Sequence, residues 1–317
     1  MRAKYMSPTS LMLHESNPEE CYMRYISDNP PPRMMQTEPM SVGSAFDAAV
    51  KGRLNVDLGL GLAFTADDLF YSSVEPHNRD FAQGAGEVVM DGYVADGSYS
   101  RLLRLLGGAT DVWMDYDSQF EWDGVPVFGK PDLGFSVLCT DEQVSRGRLD
   151  RALWRVVLDW KVNGFCSKSG GRAVAGHSRH KDFFPCWVGP LEVSCESYLE
   201  HREKKWATQT CVYSVMDALT LGLDLEDEPL VLIDQVLCRD GSYVGTMEHV
   251  SGLSVGFRDS VRSRFVSAWD VWNSDWFFRD LTRAESMEKC AALDARAGTF
   301  IGDDKDTEWL KRIYGRH

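Results

Sequence analysis

An α/β fold, one mixed sheet flanked by helices with helical additions, is predicted by three features of the sequence. Helix-spaced apolar positions occupy both ends of the chain. Strand-like runs punctuated by Asp-Gly turns occupy the middle. The resulting order of helices, three strands, a helix, further strands and further helices fits one layered sheet. The 317 residues are long for one core but suit one elaborated domain, 1–317, with a core of about 7–250 and a helical C-terminal extension of about 251–317.

Taken in order, "SPTSLMLHESNPEECYMRYI" opens on Ser/Thr capping residues and continues with helix-spaced apolar residues. "DNPPPRMMQTEP" is a proline-rich loop, and "SVGSAFDAAVKGRL" reads as a second helix. The chain from about residue 65 to 107 is largely helical and stops at the glycines of "SRLLRLLGG". "SQFEWDGVPVFGKPDLGFSVL" alternates and turns at Asp123-Gly124, which predicts a β-hairpin. "RALWRVVLDWKV" supplies the next strand, and a polar loop with several glycines runs from Asn163 to about His180. "KKWATQTCVYSVMDALTLGL" is a helix, and "PLVLIDQVLCRDGSYVGTMEHV" a second hairpin turning at Asp240-Gly241. Val261, Phe265, Trp269, Trp272 and Trp276 form a helical stripe, read as core packing rather than a base-stacking surface.

The net charge of −14, from 34 basic and 48 acidic residues, argues against broad electrostatic coating of nucleic acid. It leaves room for a local basic groove and fits a site whose carboxylates hold cations. No apolar run approaches membrane-spanning length, and "MRAKYMSPTS" has no signal-peptide core. The expectation is a cytoplasmic protein with no membrane partner. The eight cysteines are scattered without a C-x-x-C pair, which favours buried thiols over disulfides or zinc ligands.

The chemistry concentrates at "VVLDWKVNG". Asp159 and Lys161 lie two apart, so on a strand they share a face. An acid and a base at the end of a buried strand form either a structural ion pair or a catalytic pair. A second acid, Asp132 in "GKPDLGF", precedes the neighbouring strand, and antiparallel pairing can bring it to Asp159. Two close carboxylates raise each other's pKa unless a cation lies between them. Hard oxygen ligands with room for water suit Mg²⁺ or Mn²⁺. A lysine beside them can orient water and stabilise charge on a phosphate, the requirements of metal-assisted phosphodiester hydrolysis.

"GKPDLGF…VVLDWKVNG" resembles the PD-(D/E)XK nuclease signature. Three further segments resemble the RecB-like and Cas4-like exonuclease branch of that superfamily. "SPTSLMLHESNPEECYMRYI" is similar to its opening Ser-x-Ser-x-Leu helix, "PMSVGSAFDAAV" to its G-x-x-x-H helix, and "QTCVY" to its Q-x-x-x-Y helix. The resemblance implies a restriction-endonuclease-like sheet and a Mg²⁺- or Mn²⁺-dependent nuclease. It implies that Asp132, Asp159 and the backbone carbonyl of Trp160 hold the metal. Lys161 would position or activate water, and Gln209 and Tyr213, one helical turn apart, would hold Lys161 or the DNA backbone. Asp47 stands where the family has histidine and would be a further metal ligand, completing a three-carboxylate cage. Gly43, one turn earlier, would allow close approach of another backbone.

Iron–sulfur relatives carry one early and three grouped cysteines; Cys21 could be the early one, but Cys238 and Cys290 stand alone, so no cluster is expected. No Walker A sequence occurs, so a fused helicase is not expected. The loop "SKSGGRAVAGHSRHK" carries Lys168, Arg172, Arg179 and Lys181 with His177 and His180 and no acid. It follows the catalytic strand and is a candidate clamp for DNA phosphates; the two histidines alone do not make a metal site. The expected activity is exonucleolytic, on DNA ends in recombination or repair. The resemblance points to a phage or mobile-element protein, placed in the host cytoplasm if phage-encoded. It implies DNA as partner, with a recombinase or single-strand-binding protein beside it, and leaves an oligomer open. A structure-specific endonuclease and an inactive nuclease fold that binds DNA or protein are the alternatives.

Overall fold

The computed structural model describes residues 4–114, 118–139, 153–175, 186–193, 198–222, 230–274, 282–289 and 291–292. The chain divides into two compact units: Met1–Met34 with Gln119–Phe128 and Asp259–His317, and Met35–Ser118 with Gly129–Arg258.

The second unit holds a five-stranded mixed sheet flanked by helices. Its helices are α3 (Glu38–Asp57), α4 (Ala66–Ser73), α5 (Arg79–Ala95), α6 (Ser98–Gly107), α7 (Tyr198–Arg202) and α8 (Lys204–Thr220). The strands, in spatial order, are β1 (Thr110–Met114), β4 (Leu133–Leu138), β5 (Leu153–Asn163), β8 (Leu230–Arg239) and β9 (Ser242–Ser251). All pairings are antiparallel except β5 with β8, which is parallel. That exception follows from α8, which lies between β5 and β8 in the chain and returns it to the end of the sheet where β5 began. The β8–β9 hairpin turns where expected, with Asp240 and Gly241 both at positive φ, 46° and 77°, the backbone an Asp-Gly hairpin turn demands.

The sheet's two faces differ in chemistry. Val156, Leu158 and Trp160 of β5, with Leu232 and Val236 of β8, face one side. There they pack with Phe46 and Val50 of α3, Val89 and Tyr93 of α5, and Leu102 and Leu106 of α6. Each such fully buried aliphatic or phenyl side chain stabilises the fold by about 1.5–3 kcal/mol. Helices α3 and α5 approach closely at Gly86, where a Cβ would sit 2.7 Å from the Cβ of Ala45. Gly43, expected to serve this purpose, has open space around it. The alternate residues of β5, Arg155, Val157, Asp159, Lys161 and Asn163, face the opposite side, and α8 lies over them.

The first unit contains α1 (Pro8–Ser16), α2 (Pro18–Tyr25), the hairpin β2 (Ser118–Trp122) with β3 (Val125–Gly129), and most of α9 (Val255–Asn273). The single helix expected at the N-terminus is two. Asn17 caps the second, accepting from the N–H of Glu20 at 3.3 Å, and Pro18 occupies its first turn, where proline starts a helix but cannot continue one. The Asp123-Gly124 turn forms as expected, with φ of 50° and 78°. Its strands, however, pair only with each other among the named strands, outside the central sheet. Alternation predicts a hairpin but not which sheet it joins. Of the C-terminal stripe, Val261, Phe265 and Trp272 are buried and Trp269 half-buried; Trp276 lies outside the described residues. Packing of Trp122 on Phe265 and Tyr25 on Trp272 agrees with a core role. Two short strands, β6 (Cys186–Val188) and β7 (Leu191–Val193), and the edge strand β1 carry no sequence pattern that foretold them. No described helix is long and apolar enough to cross a membrane.

Candidate active site

The antiparallel register of β4 with β5 pairs Leu133 with Leu158. Asp132, one residue before β4, therefore arrives beside Asp159 at the end of the sheet. Asp159 is 3 % exposed, and the side chain of Asp132 is 19 % exposed. The N–H of Trp160 donates to Asp132 Oδ2 at 3.2 Å. A residue's N–H and C=O leave a strand by the same edge, so the carbonyl of Trp160 also faces the Asp132 side.

Lys161 forms an ion pair with Asp159. Its Nζ also donates to Gln209 Oε1 at 3.0 Å, and Gln209 Nε2 donates to the Tyr213 oxygen at 2.7 Å. Burial, with nearby Asp159 adding to it, raises the Tyr213 phenol well above its ordinary range, so the hydroxyl keeps its proton. The structure thus brings together Asp132, Asp159, Lys161, Gln209 and Tyr213, which lie 81 positions apart from first to last in the sequence.

Helix α8 is fixed at its other end by Arg155 and Asp217. Both are buried, and the guanidinium grips the carboxylate with two bonds, Nε to Oδ2 at 2.7 Å and Nη2 to Oδ1 at 3.1 Å. Trp113 Nε1 donates to the same carboxylate at 3.0 Å, and Arg155 Nη1 reaches the carbonyl of Asp111 at 2.9 Å. Asp111 sits at φ 52°, where the β1–β4 register shifts; the bulge turns that carbonyl toward Arg155. Gln209, Tyr213 and Asp217 are spaced four apart, so they form one stripe along α8. Asp217 stands over Arg155 and Gln209 over Lys161, so the helix runs antiparallel to β5 with both ends anchored.

One residue of the site had no signature in the sequence. Lys51 on α3 is 1 % exposed and bridges two acids, Asp47 Oδ2 at 2.8 Å and Asp132 Oδ1 at 2.9 Å. Asp47 is therefore near the pair, but the expected three-carboxylate cage is here a carboxylate–ammonium–carboxylate bridge beside Asp159. Among the described residues no three His, Cys, Asp or Glu side chains gather as a metal-holding group. The only hint of Lys51 was its place one turn after Asp47 in a helix whose neighbouring positions are apolar.

The electrostatics follow from the count. Among the described residues, three carboxyls, Asp47, Asp132 and Asp159, gather around two ammoniums, Lys51 and Lys161. Burial pushes Asp159 up to about 7, with Asp132 adding and Lys161 opposing. Burial also acts on Asp132, but Lys51 and Lys161 outweigh it and hold that carboxyl below its ordinary range. The two neighbouring acids are thus driven apart, Asp159 holding a proton more tightly than Asp132.

No family model matches the sequence, and no curated protein matches it. A solved structure of a Eubacterium rectale protein named "Putative exonuclease" is similar to the chain. Its TM-score is 0.42 at 12 % identity, over 85 % of this chain and 80 % of that one.

The basic loop after β5 divides. Arg179, Lys181, His177 and His180 lie outside the described residues, as does Cys290. Gly164 opens the described part at φ 88°, with the Gly171 nitrogen 1.9 Å from where a Cβ would be, so only glycine fits. Exposed Lys168 lies at the tip, its carbonyl accepting from Arg239 Nε at 3.3 Å. Arg172 returns toward the site, its carbonyl held by Gln235 Nε2 at 2.8 Å. Gln235 is in register with Lys161. Cys21 and Cys238 are buried, and burial pushes their thiols up to about 12 and about 11.

Proposed function

We propose that this chain is a metal-dependent deoxyribonuclease that hydrolyses phosphodiester bonds, an exonuclease acting on DNA ends in recombination and repair. One observation carries the reading: two neighbouring carboxyls, Asp132 and Asp159, meet beside the Lys161 ammonium, and burial pushes one of them, Asp159, up to about 7. A pair of neighbouring carboxyls, one of them pushed toward its neutral form, fits a hard divalent cation. Asp132, Asp159 and the Trp160 carbonyl would hold Mg²⁺ or Mn²⁺. Asp47 is the proposed further ligand, exchanging Lys51 for the ion. Bound there, the metal would supply positive charge to the phosphate and acidify a water.

The chain's own residues do the rest. The Lys161 ammonium has three donors. Gln209 takes one and the ion pair with Asp159 holds the head group in place, which leaves a donor to orient the attacking water or meet a phosphate oxygen. Protonated Tyr213 fixes Gln209, and so fixes Lys161. Lys168 and Arg172, with Arg179 and Lys181, would contact DNA phosphates. We also propose one elaborated nuclease domain, and a recombinase or single-strand-binding protein as the natural companion on DNA.

The test is incubation with Mg²⁺ and linear or circular, single- or double-stranded DNA. The expected result is progressive loss of linear DNA with circles spared. Asp159→Ala and Lys161→Ala should fold and cleave at least about 100-fold more slowly, the scale of losing one charge-stabilising group. Wild-type rates in either variant, or no cleavage of any DNA, would remove this reading.

A further inference from the structure

A pocket of about 390 Å³ opens beside the candidate active site, lined by Asn163, Arg172, Arg202, Glu203, Trp206 and Gln235 among others. Its position is set by the elements that build the site. Asn163 lies two residues beyond Lys161 on the same strand face. Trp206 lies three residues before Gln209, so about one turn along α8. The pocket therefore lies along the same strand face and the same helix as Lys161 and Gln209.

Its wall is built rather than incidental. Gln235 is 2 % exposed and uses all four of its hydrogen-bonding positions. Its Oε1 accepts from the Val174 N–H at 3.1 Å, and its Nε2 donates to the Arg172 carbonyl at 2.8 Å and to Asn163 Oδ1 at 3.3 Å. The backbone N–H of Val174 settles which end of the amide is oxygen. His249 Nε2, 3.1 Å from that oxygen, must then be the donor. His249 Nδ1 is left to accept from the Tyr198 hydroxyl. This chain of bonds pins residues 172–174 to the sheet. The His249 ring also meets the Trp206 indole edge-on, centroids 6.4 Å apart, and so limits its rotation.

The lining matches the parts of a nucleotide. Trp206 is half-buried and offers an aromatic face next to exposed guanidiniums at Arg172 and Arg202. Bases stack on such faces whatever their sequence, and guanidiniums bind phosphate. With its oxygen held by Gln235, Asn163 offers its amide Nδ2 as a donor, and Glu203 a carboxylate acceptor, for a base or sugar edge. We propose that this pocket holds one unpaired nucleotide of the DNA strand, adjacent to the phosphate being cleaved, with its base on Trp206 and its phosphate between Arg172 and Arg202. The assignment rests on the nuclease reading of Asp132, Asp159 and Lys161. It adds to that reading a requirement for a frayed or single-stranded end.

The test uses deoxyadenosine 5′-monophosphate in equilibrium dialysis without added metal, beside cleavage of single- and double-stranded linear DNA. Wild type should bind the nucleotide. Trp206→Ala should bind it at least about tenfold more weakly and raise KM for single-stranded DNA more than it lowers kcat. Trp206→Phe should restore most of both. Arg172→Ser should weaken binding and flatten its salt dependence, and it carries the test if Trp206→Ala does not fold. No binding by wild type, or equal binding by Trp206→Ala, overturns the pocket even if DNA is cleaved. Nucleotide binding that depends on Trp206 without any DNA cleavage keeps the pocket and overturns the nuclease reading.

Discussion

Arg155 with Asp217 closes one end of the interface between β5 and α8; Lys161 with Asp159 and Asp132 closes the other. The first cluster is fully buried and the second partly so, and both are held by the same strand and helix. They differ in their charge count. The Arg155 cluster sets one cation against one anion, with the carboxylate further satisfied by Trp113. The Lys161 cluster, with Lys51 and Asp47, sets two cations against three acids among the described residues. A balanced buried pair fixes geometry; an unbalanced one must recruit something from outside, a proton or a cation. The contrast separates the part of this interface that builds the fold from the part where the proposed chemistry is placed.

The largest expected effect tests the balanced end. Arg155→Met should lower stability by about 3–5 kcal/mol, because removing one partner of a buried ion pair strands the other. Denaturant unfolding measures it. Asp217→Leu in the same chain should recover much of the loss. If Arg155→Met alone cost less than about 1 kcal/mol, the pair would not be the anchor of α8.

Such anchors were not legible in the sequence. Asp159 and Lys161 could be found because a strand repeats every two residues and an apolar run announced the strand. Asp132 could be found because it directly precedes the neighbouring strand. Gln209 and Tyr213 were visible only through resemblance. Arg155 and Asp217 are 62 residues apart, and nothing local distinguishes them from solvated charges. Lys51 looked like any helix lysine, since its burial depends on Asp132 arriving from another element. The hairpin β2–β3 shows the same limit: its turn was written in Asp123-Gly124, but its partner was not. Local pattern gives elements and faces, while pairing across the fold depends on distances that no short stretch contains.

An intermediate effect tests the unbalanced end by pH. Without metal, burial pushes Asp159 up to about 7 in the folded chain, from near 3.9 unfolded. Below about pH 4 both states are protonated, and Asp159 costs nothing. Between about 4 and 7 the unfolded state releases the proton and the folded state keeps it, so stability falls as pH rises. The full loss, about 2–4 kcal/mol, is reached above pH 7. Asp159→Asn should remove this slope, and Mg²⁺ should raise the melting temperature most above pH 7. A metal-free wild type whose melting temperature stayed flat from pH 4 to 7.5, or matched that of Asp159→Asn, would refute the surplus-charge account.

The smallest effect sharpens the comparison most, because it makes the two ends alike. Asp47→Asn removes one of the three acids and leaves two against two ammoniums. Its amide oxygen can still accept from Lys51, so the bridge to Asp132 has no steric reason to break. Two small effects then oppose: loss of the Asp47–Lys51 attraction, and relief of the surplus negative charge. The net change in metal-free stability at pH 7.5 should lie within about 1 kcal/mol. The pH slope should shrink, because Asp159 ionises more readily once a neighbouring negative charge is gone. If Asp47 also becomes a metal ligand, the variant should gain less melting temperature from Mg²⁺ and cleave more slowly. A reduced slope with unchanged Mg²⁺ response and cleavage would make Asp47 only a counter-charge for Lys51. An unchanged slope would place Asp47 outside the electrostatic reach of Asp159 altogether. Thermal melts from pH 4 to 8 with and without Mg²⁺, beside one cleavage assay, separate these outcomes.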